Sequence, residues 1–274
     1  MRILKNLLTC LLTAACMLAA PPRRVVSQTV GTDELLLALA EPGQVAALSH
    51  LARDPSFSPV AREARAFPVL KDSDAESVLR YRPDLVLVAS YTRAETLALL
   101  KKAKVAVLLI DRYESLEDTR RNIRTLGEAL GRSQAASDLL ARMDARVAAL
   151  RKRLEGVRPV RVLAASLQPY TAGGDTTFQD LCDHAGAVNV AAEAGLKGHQ
   201  PTPSEAVLGW KPEVLVAGGE DPARIATVLP YKHLPAARSG RIVLLPGALM
   251  SATGQHRLDA YEALARALHP ERFK

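Results

Sequence analysis

The sequence predicts an α/β protein of two similar lobes, each on a parallel-rich sheet, joined by one long α-helix. Three observations carry that expectation. A phrase is written twice: residues 76–88 read E-S-V-L-R-Y-R-P-D-L-V-L-V and residues 205–217 read E-A-V-L-G-W-K-P-E-V-L-V-A, an internal repeat. Each copy runs from a short helix through a proline into an unbroken apolar stretch, the pattern of a strand buried on both faces of a parallel sheet. Between the copies Ala136, Leu139, Met143, Val147, Leu150 and Leu154 recur at alternating steps of three and four, the apolar stripe of a helix. Uninterrupted to Glu155, it is roughly 33 Å long at about 1.5 Å per residue. No glycine-serine linker replaces it, so the connection reads as rigid.

The elements follow in order. Val25 to Val30 reads as a strand, and Thr32 opens a helix whose Asp33 and Glu34 suit its positive N-terminal end. Gln44 to Ser49 is a second strand, and His50 to Pro68, without sustained periodicity, a long loop. Ser73-x-x-Glu76 matches a capping box that opens the first repeat helix; Thr202-x-x-Glu205 does the same in the second copy, with Pro203 at the first helical position. Thr92 is placed to cap a helix through Lys102, ahead of a strand at Val105 to Ile110. Ser115-x-x-Asp118 caps the next helix, with Leu116, Ile123, Leu126 and Leu130 inward, and Ser133 is placed to cap the long one. The second half restarts with a strand at Val160 to Ala165 and a glycine-containing turn after Tyr170. A helix ending at Gly186, the second repeat and a strand at Ile242 to Leu245 follow, and Leu258 to Leu268 is a final amphipathic helix.

Composition bounds the function. The 274 residues, 48% hydrophobic and 24% charged, suffice for two modest domains. The formal charge of +7 falls to +5 once Arg2 and Lys5 are set aside, leaving 34 basic against 29 acidic residues. Arg120, Arg121, Arg124, Arg151 and Arg153 fall in helical stretches, where they read as solvated faces and not as a nucleic-acid footprint. Arg2 and Lys5 precede an apolar stretch from Leu7 to Ala20, a secretory signal too short for a membrane span. An alternative lipid anchor at Cys16 rests on Thr13-Ala-Ala-Cys16, with threonine where such boxes carry an aliphatic residue. Cys10 and Cys16 both lie in that segment, and the remaining Cys182 cannot build an intrachain disulfide framework. The expected organisation is a signal peptide at 1–20, an N-terminal lobe at 23–131, the connecting helix at 132–156 and a C-terminal lobe at 157–274.

No catalytic motif emerges. Gly173-Gly174 and Gly218-Gly219 lack phosphate-loop spacing, and the hydrolase elbow G-x-S-x-G is missing. Cys182 and His184, two apart on a helix, point to different faces. The six histidines form no H-x-H or H-x-x-x-H pair, so no protein-held metal is expected from local spacing. His50 and His199 lie in loops of opposite halves, where they either converge across a cleft or stand as surface residues. Tyr91 and Tyr170 occupy comparable loops, suited to stacking on or ligating a planar guest, or to forming the rim.

The succession of the T-D-E-L-L-L-A-L helix, the L-S-x-L-x-x-D-P loop, the doubled phrase, the long helix and Y-T-A-G-G-D-T-T-F is similar to one known family. It resembles the iron-chelate and cobalamin periplasmic binding proteins of ABC importers, from about Arg24 to the C-terminus. The resemblance implies a ligand cleft between lobes with limited hinge motion, a non-enzymatic monomer in the periplasm, and no cofactor beyond the transported metal chelate. It further implies a permease dimer with its ATPase as partner. Glu76 and Glu205 match by motif the acids with which each lobe docks on permease arginines; helix capping is their alternative role. His50, Tyr91, Arg93, Tyr170 and His199 are the candidate ligand-binding residues. Arg93 beside Tyr91 suits an anionic siderophore, and Tyr91 or Tyr170 a heme. The phrasing L-S-H-L-A-R-D-P favours a corrinoid, although Trp210, the single tryptophan, lies inside the repeat helix and not in a cleft loop. A chelate-modifying enzyme or a ligand sensor on the same scaffold is the reading from another class.

Overall fold

The computed structural model describes residues 20–168, 170–202 and 204–274; the expected signal sequence, apart from Ala20, and the Cys16 anchor lie outside them. The first lobe alternates β1 (Val25–Ser27), α1 (Val30–Leu39), β2 (Val45–Ala47), α2 (Ala75–Leu79), β3 (Leu85–Ala89), α3 (Ala94–Lys102) and β4 (Ala106–Ile110). Two helices follow, α4 (Leu116–Ala129) and α5 (Ser133–Arg153). The second lobe contains β5 (Val160–Ala164), β6 (Tyr170–Ala172), α6 (Thr177–Ala185), β7 (Ala187–Asn189), α7 (Val190–Glu193), β8 (His199–Pro201), α8 (Ala206–Trp210) and β9 (Val214–Gly218). It closes with α9 (Pro222–Ile225), α10 (Pro235–Arg238), β10 (Ile242–Leu245), α11 (Gly247–Met250) and α12 (Arg257–Leu268).

The repeat is visible in the topology. One sheet runs β2-β1-β3-β4 and the other β10-β9-β5-β7, with every pairing parallel. With the antiparallel ribbon β6-β8 set aside, each sheet has its strands in the chain order second, first, third, fourth. The two phrases form α2–β3 and α8–β9, equivalent units whose strands lie between the first strand and the edge. All five residues of β3 are buried, as are Val214 to Ala217 of β9, because helices cover both faces of these inner strands. On the edge strands β4 and β10, Leu109 and Leu244 are exposed.

Several helix starts differ from expectation because the hydroxyls are engaged elsewhere. Thr29, not Thr32, caps α1, and Thr32 is its reciprocal partner three residues on. Asp74, not Ser73, caps α2 by accepting from the Ser77 N–H at 2.7 Å. Thr92 is turned away from α3, toward the Ala89 N–H at 3.2 Å and the Gln28 side chain at 3.1 Å. The Thr202 hydroxyl meets that of buried Tyr231 at 3.2 Å, and Glu205 itself stands at the N-cap of α8 without a side-chain cap bond. Ser133 leaves α5 uncapped, whereas the Ser115–Asp118 box opens α4 as the sequence predicts.

Helix α5, with 21 residues, is about 31 Å long and buries Ala136, Leu139, Met143 and Leu150. These residues belong to one apolar cluster that runs from Leu35, Leu36 and Leu39 of α1 through Leu126 of α4 to Phe178, Leu181, Tyr261 and Leu264 of α6 and α12. The lobes therefore share a core.

A buried charged node seals the same seam. Asp180 of α6 accepts from the Leu116 N–H of α4 at 2.9 Å, from the Tyr261 hydroxyl and from the Arg257 guanidinium. Arg257, 2% exposed, also donates to the carbonyls of Tyr113 at 2.6 Å and Glu114 at 3.2 Å. Removing one partner of such a buried pair strands the other charge, so Arg257→Met and Asp180→Asn are each expected to cost about 3–5 kcal/mol. Urea unfolding of the two variants and their double mutant measures this; the double-mutant loss should fall well short of the sum.

Candidate functional site

In a parallel sheet all strands end on one side, and here every strand of the first lobe delivers a loop to the same place. β1 runs into Gln28 to Val30, β2 into Ser49 to Leu51, β3 into Tyr91 to Arg93 and β4 into Ile110 to Tyr113. These loops line two adjoining cavities. The first, about 240 Å³, lies within the lobe and is walled by Gln28, Ser49, His50, Ser73, Tyr91 and Arg93. The second, about 170 Å³, lies between the lobes: Thr29, Phe57, Tyr91 and Tyr113 face Ser251 and Thr253 of the C-terminal lobe. Tyr91, 65% exposed, belongs to both. Its ring meets that of Tyr113 edge-to-face, with centroids 6.2 Å apart, a geometry worth about 0.5–1.5 kcal/mol beyond area burial.

Polar groups hold the loops in place. Buried Gln28 donates to the Ser73 carbonyl at 2.5 Å and accepts from Thr92, tying the ends of β1 and β3 to the segment before α2. Asp33, fully buried, accepts from the Ser49 N–H at 3.0 Å and the Ser49 hydroxyl at 2.5 Å, fixing the residue that precedes His50. Burial pushes the Asp33 pKa up from 3.8 to about 6, against the lowering effect of its hydrogen bonds to Ser27 and Ser49. The sequence places Asp33 and Glu34 at the positive N-terminal end of the helix, and Asp33 does lie in its first turn. Both are in fact interior, at 0% and 1% exposure, and serve as struts.

His50, Tyr91 and Arg93 are brought together around the first cavity, with His50 and Arg93 exposed at its edge. Tyr170 and His199 are not part of it. They lie on the paired strands β6 and β8, where Tyr170 stands opposite Pro201 and His199 opposite Ala172, both exposed, and neither lines the two cavities. Gln28, Tyr113, Phe57, Ser251 and Thr253 were missed. Strand-end position was a usable signal for Gln28 and Tyr113; nothing in the local sequence marks Ser251 and Thr253, which reach the cleft only through the packing of the lobes.

Glu76 and Glu205 open the two repeat helices. Glu76 is 85% exposed and meets Arg80 at 3.3 Å; Glu205 is exposed as well. The carboxylate of neither glutamate completes a capping box. Cys182 is buried, and His184 is stacked on Tyr261 with ring centroids 4.5 Å apart, so the two do not form a nucleophile–base pair. Among the described residues no group of three or more His, Cys, Asp or Glu could hold a metal ion, and no helix is long and apolar enough to cross a membrane.

Two parallel-sheet lobes with a shared core and strand-end loops converging on a cleft have the architecture of a two-lobed solute-binding protein. The profile of the periplasmic binding protein family matches residues 25–249, and the chain belongs to that family. It is 22% identical over 265 residues to an uncharacterized ABC transporter substrate-binding lipoprotein, YvrC, of Bacillus subtilis, covering 92% of this chain and 82% of the relative. It is 25% identical over 268 residues to a cobalamin-binding protein of Halobacterium salinarum, covering 93% of this chain and 72% of the relative. Among solved structures, the apo form of the periplasmic heme-binding protein RhuT from Roseiflexus sp. RS-1 superposes with a TM-score of 0.80 at 25% identity, covering 91% of this chain and 99% of that one. Family and neighbours alike are binding proteins, not enzymes.

The Asp33 strut has a testable sign. Its folded pKa lies above the unfolded value of 3.8, so its contribution is fully present below pH 3.8 and is lost as the pH rises through about 6. The stability of the wild type relative to Asp33→Asn should therefore fall by about 3 kcal/mol between pH 3.5 and pH 7. Urea unfolding across that range reads the slope; parallel curves for the two proteins would contradict it.

Proposed function

We propose that this chain is the capture component of an ABC importer for a metal-chelate nutrient, with a corrinoid as the first candidate ligand, and that it works in the periplasm as a monomer. The observation that carries the reading is the convergence of all four N-terminal strand ends on a cleft whose opposite wall comes from the other lobe. Tyr91 and Tyr113 offer aromatic surface to a large planar guest, while Arg93 and His50, at the edge of the adjoining cavity, suit an anionic group at its periphery. The cobalamin-binding relative supports a corrinoid. A heme is the second reading, favoured by the exposed phenol of Tyr91 and by the likeness to RhuT; a ferric siderophore is the third, suited by Arg93.

Delivery is assigned to Glu76 and Glu205. Neither carboxylate is needed for capping, both are exposed, and the repeat places one on each lobe, an arrangement that fits a two-fold permease presenting basic residues. The organisation that goes with this function is an N-terminal lobe at 23–131 and a C-terminal lobe at 157–274, bridged by the helix at 132–156 after removal of a signal peptide at 1–20.

Two measurements test the reading. Calorimetric and absorbance titration of refolded, ligand-free protein with cyanocobalamin, hemin and ferric siderophores should give saturable binding to one of them, weakened tenfold or more by Tyr91→Ala; binding to none removes the proposal. The double charge reversal Glu76→Lys with Glu205→Lys should abolish uptake through the cognate permease and leave ligand affinity unchanged. Undiminished transport by that variant would refute the docking role.

A further inference from the structure

A cavity larger than either of those in the cleft lies where the C-terminal end of α5 passes α6 and α12. It measures about 910 Å³ and shares no lining residue with the cleft cavities. That volume falls within the roughly 300–1,000 Å³ usual for small-molecule sites. Val147, Leu150 and Leu154, at steps of three and four on α5, give it an apolar wall that Val157 extends in the connection to β5. Leu150 is buried, and the other three are half-buried, so this wall keeps apolar surface open to the cavity.

The other wall is aromatic. His184 of α6 and Tyr261 of α12 stack in parallel, with ring centroids 4.5 Å apart and planes 6° from each other. Tyr261 is 1% exposed, whereas the His184 side chain is 27% exposed. The imidazole thus covers the phenol ring and is itself open to the cavity.

The hydrogen bonds of His184 fix which nitrogen is available. Nδ1 lies 2.8 Å from the Asp180 carbonyl. A carbonyl only accepts, so Nδ1 carries the proton of the neutral imidazole and Nε2 is left with a lone pair. No described residue donates to that lone pair. The rim is charged but balanced: Arg151 and Lys152 of α5 stand against Glu155 and Asp183, and Asp183 also accepts from the Gln179 side chain at 2.7 Å. Such a rim offers little to a ligand with a net charge.

We propose that this cavity is a second ligand site, for a neutral fused-ring phenol whose rings continue the His184–Tyr261 stack and whose hydroxyl donates to His184 Nε2. A flat apolar body matches the α5 wall and the exposed imidazole, and aromatic stacking of this kind adds about 0.5–1.5 kcal/mol to area burial. One O–H donor answers the one unpartnered acceptor. The site also adjoins the seam between the lobes. Tyr261 donates to Asp180, which accepts from the Leu116 N–H of α4 at 2.9 Å. An occupant binds the folded chain alone, so it raises the melting temperature in step with its concentration. The inference makes no use of the cleft and stands whether or not the cleft takes a chelate.

Titration of the full chain with 2-naphthol, followed by calorimetry and by the fluorescence of the naphthol, tests it. Binding should be saturable at one equivalent. 2-Methoxynaphthalene, which keeps the rings and lacks the donor, should bind about tenfold more weakly for the loss of one hydrogen bond. His184→Phe keeps a ring on Tyr261 without the acceptor, and should bring naphthol down to the level of the methoxy compound. Methyl NMR locates the probe: signals of Val147, Leu150 and Leu154 should shift, and those of Val30 and Leu51 in the cleft should not. Absence of saturable binding, equal affinity for the two naphthalenes, naphthol binding that ignores His184→Phe, or shifts confined to Val30 and Leu51 would each overturn the proposal. Should His184→Phe not fold, the comparison of the two naphthalenes and the methyl map of the wild type decide the matter by themselves.

Discussion

The fold hangs on the buried pairing of Arg257 with Asp180, because that pair turns two separately plausible α/β lobes into one body. Asp180 belongs to the second lobe, yet it accepts the first free N–H of α4; Arg257 opens α12, yet it donates to the carbonyls of Tyr113 and Glu114 at the end of the first lobe. Two isolated charges at this depth would be costly. Tyr261, the Leu116 amide and two carbonyls make them tenable by filling most of the remaining bonds, although one guanidinium nitrogen, Nε, is left without a protein partner. The same bonds anchor the backbone of Tyr113, whose ring forms a corner of the cleft with Tyr91. Seam and site are therefore built from the same residues.

Above that seam the site follows from strand direction. Parallel strands discharge their loops on one side, so a lobe of four strands collects four loops without any side chain having to reach far. What remains is to hold the loops still, and that work falls to groups invisible from outside: Gln28 across three loops, Asp33 under Ser49, Glu34 under Gly254. Burying two adjacent carboxyls in one helix costs stability, as their raised pKa values record. Neither is a packing residue; each anchors one wall.

How much of this was legible depended on whether a feature was local. The doubled phrase announced two parallel-rich sheets because proline and an apolar run act on their own neighbours, and the stripe from Ala136 to Leu150 announced α5 for the same reason; the strand order came only with the structure. Capping hydroxyls were legible as residue types but not as assignments: Ser73 and Thr202 had the spacing, yet Asp74 stood one residue closer to the helix and Tyr231 claimed Thr202 from 29 residues away. His50, Tyr91 and Arg93 could be named from loops that follow strands. Tyr170 and His199 were named by the same logic, but they lie in the β6-β8 ribbon, which no period in three-residue strands could announce. Asp33 and Glu34 were legible as acids near a helix start, but their burial was not. Asp33 is buried against Ser27 and Ser49 of its own lobe and Glu34 beneath Gly254 of the other, contacts that no local pattern announces.

A shared core and a sealed seam also constrain how the protein can work. With α5 packed into both lobes and Gly31, Gly254 and Gly247 each leaving no room for a side chain against the facing lobe, a wide hinge rotation would have to break contacts that glycine alone permits. Motion is then cheaper in exposed cleft groups than in the lobes, as at the largely exposed Tyr91 and Arg93. For the proposed docking this rigidity is useful. In that proposal, two exposed glutamates on lobes with a shared core would offer a constant pair of charges to a two-fold partner. The ligand's effect on such a partner would accordingly pass through the cleft walls and not through the separation of Glu76 from Glu205.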